Sequence, residues 1–120
     1  MNDLKIQSKT EEKRVIICIS GDIDAYHSPK LKEEMEPFIN GEKSDITLDL
    51  SDVPYIDSAG LGTLVSILRE TRNGKKALKL IGLRQNIKRI FEMTRLDKIF
   101  EVYDTLEESA LGNKKVGGSY

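Results

Sequence analysis

Ser58 is the side chain best placed to do chemistry in this sequence. It lies in Asp57-Ser58-Ala59-Gly60-Leu61-Gly62, after the alternating stretch Ile46-Thr47-Leu48-Asp49-Leu50 and at the start of a helical pattern, Leu61, Leu64, Val65 and Leu68. The spacing places a hydroxyl on the first turn of a helix that follows a strand. Backbone N–H groups at that end lack an intrahelical acceptor and favour an anion. A phosphate carried on Ser58 would be accommodated there without unfolding the helix, so the segment reads as a switch. On position alone, a purely local capping role is the simpler reading. Two features argue beyond it. Asp57 already supplies the cap. Gly60 and Gly62 fall inside the helix, where each costs about 1 kcal/mol relative to Ala, and close approach of another backbone is the usual compensation. Leu61 and Tyr55 would then flank the serine as a docking patch.

The remaining reactive residue types offer less. Asp22 and Asp24 lie in Gly21-Asp22-Ile23-Asp24, where solvated turn residues are one reading and a functional role, with Asp24 beside Ser58, is the other. Cys18, the one cysteine, sits in Val15-Ile16-Ile17-Cys18-Ile19 and is expected to be a small buried hydrophobe. One thiol and one histidine make no zinc site. A hydrolase built on Ser58, His27 and an acid is an alternative, but residue 56 is Ile, so the Gly-x-Ser-x-Gly elbow is missing. His27 beside Ser28-Pro29 reads as an exposed turn residue. There is no phosphate-binding Gly-x-x-x-x-Gly-Lys-Ser/Thr loop. Arg72, Lys75 and Lys76 read as a solvated helix end. No cofactor or metal is expected.

These residues must be positioned by a domain of ordinary size, 120 residues with 38% apolar and 32% charged side chains. A net charge of −1 gives no basic excess for nucleic acid. The longest apolar run, Val15 to Ile19, is far short of the ~20 residues a membrane span needs. The expectation is a cytoplasmic protein, monomeric, with no membrane or nucleic-acid partner.

Leu4 and Ile6 suggest an edge strand. Val15 to Ser20 reads as a strand buried on both faces and stopped by Gly21. Ser28-Pro29 opens a first helix with Ser28 as its N-cap, carrying Leu31, Met35, Phe38 and Ile39. Pro37 predicts a kink or an early end. Ile46 to Leu50 is the next strand, followed by a helix from Ser58 to Asn73 capped by Gly74. A strand over Ala77–Ile81, a helix around Ile87, Ile90 and Phe91, and a short strand over Ile99–Tyr103 follow. Asp104-Thr105-Leu106-Glu107 starts a last helix. Residues 112–120 read as a flexible tail. Two βαβ crossovers imply a mixed sheet.

Leu48-Asp49-Leu50-Ser51, Val53, Tyr55-Ile56-Asp57-Ser58-Ala59-Gly60-Leu61-Gly62 and Gly21-Asp22-Ile23-Asp24 together resemble the bacterial anti-sigma factor antagonists, the single-domain members of the STAS class. The resemblance spans about residues 4–111 and implies one STAS domain over 1–111. It implies an α/β fold, a mixed four- to five-stranded sheet with about four helices mainly on one face. It further implies that the serine matching Ser58 is phosphorylated by an anti-sigma factor that is itself a serine kinase. The unmodified form would bind that kinase and free a sigma factor, and a PP2C-type phosphatase would reset it. Asp24, Asp57, Ser58, Ala59, Gly60, Leu61 and Gly62 would form the partner surface, and the chain would not be an enzyme. Ala59 departs from the family, where serine is frequent, and leaves Ser58 the sole acceptor in the loop. A STAS subunit of another assembly, for stress signalling or lipid transport, is the alternative within the same fold.

Overall fold

The computed structural model describes residues 2–111. Its elements run β1 (Lys5–Thr10), β2 (Arg14–Ser20), α1 (Ser28–Ile39), β3 (Asp45–Asp52), α2 (Ser58–Asn73), β4 (Ala77–Ile81), α3 (Gln85–Met93), a 3-10 turn (Leu96–Lys98), β5 (Glu101–Tyr103) and α4 (Leu106–Leu111). The strands form one sheet in the order β1-β2-β3-β4-β5. β1 is antiparallel to β2, and the other three pairings are parallel. This is the mixed sheet that the crossovers imply. The 3-10 turn was not foreseen; Arg95 enters it at φ 63°.

Side-chain alternation divides the sheet into two faces. On one face Ile17, Leu48, Leu80 and Val102 stand in register across four strands, all buried. Leu31, Met35 and Ile39 of α1, Leu64, Ile67 and Leu68 of α2, and Ile87 and Phe91 of α3 close over that face as one core. The opposite face carries Gln7, Cys18, Asp49, Ile81 and Tyr103 in one row. α4 shields its β4–β5 side, where Lys79 donates to the Ser109 carbonyl (3.1 Å) and to Asp45 Oδ2 (3.0 Å). Thr105 Oγ1 accepts from Glu108 N–H (3.1 Å) and caps α4, one residue later than an Asp104–Glu107 box would place the cap.

Expectations for β2 and α1 need correction. Cys18 is exposed, so β2 is not buried on both faces. Its apolar run resembles that of a doubly covered strand, but α4 packs on β4 and β5 and leaves Cys18 uncovered. α1 does not end early at Pro37 but runs through it to Ile39, with Asn40 as its C-cap. Pro37 is on the solvent side, so the carbonyl it leaves without a donor can turn to water, while Met35 and Ile39 hold the last turns on the core. His27, not Ser28, is the N-cap residue of α1, because Ser28 Oγ donates backwards to the Asp24 carbonyl (2.8 Å). The expected tail, 112–120, lies outside the described residues.

The start of the chain is clasped to the loop after β2. Asp22 is almost fully buried and accepts from the Asn2 backbone N–H and side-chain amide, 3.2 Å each. Gly21 passes under Asp3 at φ 100°, with an added Cβ only 2.1 Å from the Asp3 carbonyl oxygen. Asp22 is thus a structural clasp and not a solvated turn residue. The two Asn2 bonds hold its carboxyl below the usual range. A depressed folded pKa gives stability that is present above the unfolded value of about 3.9 and lost as pH falls through the lower folded value. Asp22→Asn is expected to be less stable than wild type at neutral pH. The gap should narrow in strong acid, as read from urea melts at the two conditions.

Candidate functional site

The site is built where the loops after β2 and β3 meet. Val53 and Ile56 are buried and pin the second loop from below. Ile23 N–H donates to the Tyr55 carbonyl (3.1 Å), and Asp57 N–H donates to the Ile23 carbonyl (3.3 Å). Ile23 and Ile56 form a short parallel bridge. The two loops are therefore joined main chain to main chain just before α2 begins.

Asp57 ends this junction and starts the helix. Its backbone is extended, with φ −107° and ψ −177°. Oδ1 accepts from Gly60 N–H (2.8 Å), the N-cap bond that the sequence predicts. Oδ2 accepts from Ala25 N–H (3.1 Å) in the neighbouring loop. One carboxylate thus caps α2 and ties it to the β2–α1 loop.

The two helix glycines have different causes. A Cβ on Gly60 would lie 2.0 Å from the Ile23 carbonyl oxygen, so no larger residue fits without moving a loop. Around Gly62 there is nothing within 4 Å. The close approach expected for both holds for Gly60 alone. Gly62 leaves a bare patch of helix backbone on the surface instead.

Ser58 is exposed as the first residue of α2, with Ala59 exposed beside it and Leu61 half-buried against the core. Among the described residues the Ser58 hydroxyl makes no hydrogen bond. Asp24 Oδ1 accepts from His27 N–H (2.9 Å) and lies 2.9 Å from His27 Nδ1, which donates in the matching tautomer. His27 is buried, which corrects its expected exposure. The imidazole closes the loop around Asp24 and is not bonded to Ser58, so the geometry of a Ser-His-Asp triad is not assembled. Tyr26 was not singled out from the sequence. It is highly exposed, and its ring stands edge-on to His27 (centroids 4.9 Å, interplanar angle 83°). A bulky tyrosine in a short loop between a strand and a helix is the signal that could have found it. Among the described residues no cluster of three or more His, Cys, Asp or Glu could hold a metal ion. No helix among them is long and apolar enough to cross a membrane.

The glycine geometry gives opposite expectations for one substitution. Gly60→Ala should cost about 1–3 kcal/mol by overpacking against Ile23. Gly62→Ala should stabilise by about 0.5–1 kcal/mol through helix propensity. Urea unfolding midpoints of the two variants against wild type would read both signs.

A profile of the STAS domain family matches residues 5–109. The anti-sigma-B factor antagonist of Listeria monocytogenes is 40% identical over 86 residues, covering 72% of this chain and 75% of that protein. Its namesake in Staphylococcus aureus is 32% identical over 105 residues, covering 88% and 97%. Among solved structures, a Thermotoga maritima protein described as a candidate anti-sigma factor antagonist superposes with TM-score 0.82 at 28% identity, covering 88% of this chain and 92% of its own. SpoIIAA of Bacillus in its phosphorylated form shares the fold, with TM-score 0.67 at 19% identity and coverage of 89% and 96%. With its sheet order, its Asp57-Ser58 junction and these matches, the chain belongs to the STAS domain family, beside the anti-sigma factor antagonists.

Proposed function

We propose that this chain is an anti-sigma factor antagonist whose binding is switched off by phosphorylation of Ser58. The observation that carries the reading is the exposed Ser58 hydroxyl, standing free on the first turn of α2 while the backbone around it is pinned. The acting unit is the STAS domain over residues 1–111. Its unmodified form binds a serine-kinase anti-sigma factor in the cytoplasm through Asp24 and the run Asp57, Ser58, Ala59, Gly60, Leu61 and Gly62, and so releases a sigma factor. The chain is a kinase substrate with no catalysis of its own, and a PP2C-type phosphatase restores it.

The physics of the switch is local. A phosphoserine adds about −1.5 to −2 charges at neutral pH. Both Asp57 oxygens already accept backbone N–H groups, so the new dianion sits beside a fixed carboxylate. Ser58 and Ala59 N–H, the first two of α2, have no intrahelical acceptor and offset part of the repulsion, by roughly 0.3–1 kcal/mol. The fold tolerates the group, whereas a partner seated over Gly60, Leu61 and Gly62 meets a bulky anion at its centre. A loss of about 2.7 kcal/mol there weakens binding about a hundredfold, within reach of one desolvated, mismatched charge.

Incubated with ATP and the serine-kinase anti-sigma factor of the source organism, wild type should gain one phosphate by intact mass and Ser58→Ala none. Ser58→Glu should bind that kinase about tenfold more weakly or worse, a loss of about 1.4 kcal/mol, with an unchanged thermal midpoint. Equal binding of the phosphorylated and unmodified chains would overturn the switch.

A further inference from the structure

A kinase that reaches the Ser58 hydroxyl must close over the surface around it. A stable interface covers about 800 Å² on each partner, a disc of roughly 16 Å radius. Tyr55 lies three residues before Ser58, so their Cα atoms are at most about 11 Å apart. Tyr26 follows Ala25, whose N–H is bonded to the Asp57 carboxylate. The backbone at both tyrosines is therefore within reach of a footprint of that size centred on Ser58.

Among the described residues, five large apolar or aromatic side chains are exposed: Tyr26, Tyr55, Met93, Ile99 and Leu111. Of these, only the tyrosines lie in the two loops that join at the start of α2, at 74% and 52% exposure. Each is presented from a fixed base. His27, against which the Tyr26 ring stands, is 4% exposed and locked to Asp24. The Tyr55 carbonyl accepts from Ile23 N–H, and the preceding Pro54 carbonyl accepts from Asn86 Nδ2 (3.0 Å). A tyrosine on rigid backbone has two side-chain torsions to immobilise and a large amphipathic area to bury, which is why this residue type dominates binding hot spots.

We infer that Tyr26 and Tyr55 are two anchors by which a serine-kinase anti-sigma factor grips this chain beside Ser58, an inference that rests on the reading of Ser58 as phosphoacceptor. Ser58 then supplies the switch, and the tyrosines supply the grip. Neither ring touches the reacting hydroxyl, so they act through binding and leave the phosphoryl transfer unaltered. Loss of uniform binding raises KM and spares kcat.

The test uses Tyr26→Ala, Tyr55→Ala, both Tyr→Phe variants and Met93→Ala as an exposed control, with the purified serine-kinase anti-sigma factor of the source organism and ATP. Each Tyr→Ala should lower affinity by about tenfold or more and raise KM for phosphorylation in step, with kcat and thermal midpoint unchanged. Tyr→Phe should retain most of the binding, which guards against a folding defect in the alanine variants, and Met93→Ala should match wild type. Tyrosine variants that bind as wild type does, in a chain still phosphorylated on Ser58, would overturn the anchors alone. A wild-type chain neither bound nor phosphorylated would overturn the Ser58 reading and the anchors with it.

Discussion

The contact between Gly60 and the Ile23 carbonyl is the constraint on which the functional end of the molecule depends. It sets how closely α2 approaches the loop after β2, and it tolerates no side chain at position 60. Asp57 completes the join with one carboxylate bonded to both segments. With these two features, the loops after adjacent parallel strands behave as one rigid piece. Ser58, Ala59, Leu61 and Gly62 inherit their positions from it, and the exposed hydroxyl sits where it does because the residues on either side cannot move independently.

Rigidity of this kind suits a switch that works by charge. A phosphate can order or melt a segment when it finds new cationic partners. At Ser58 the near surroundings are Asp57, already saturated by N–H donors, and the first N–H groups of α2. A phosphate on Ser58 would meet that fixed carboxylate and those N–H groups, and neither rewards a rearrangement. Any effect on a partner then arises at the contact surface itself.

The order of elements was legible because one face of the sheet is fully covered and the other only in part, which writes a period of two into β3 and β4 and a helical period into α1, α2 and α3. The Asp57 cap was legible for a related reason: it acts over three residues. What escaped depends on partners far along the chain. Gly60 and Gly62 look alike in sequence and differ only through Ile23. His27 is buried because the loop folds back on Asp24, and Asp22 because Asn2 reaches it. Cys18 sits in an apolar run that would be buried in a doubly covered strand, and only the placement of α4 leaves it in the open. Position 37 shows the converse, a local rule against proline overridden by the packing of Met35 and Ile39.

The two borders of the sheet carry a further consequence. β1 is a border strand whose open face bears Lys5 and Lys9, and β5 at the other border is three residues long. A charged margin and a stub both resist the addition of another strand. The sheet therefore ends at five strands on both sides. Both borders thereby discourage one copy of the sheet from continuing into the next.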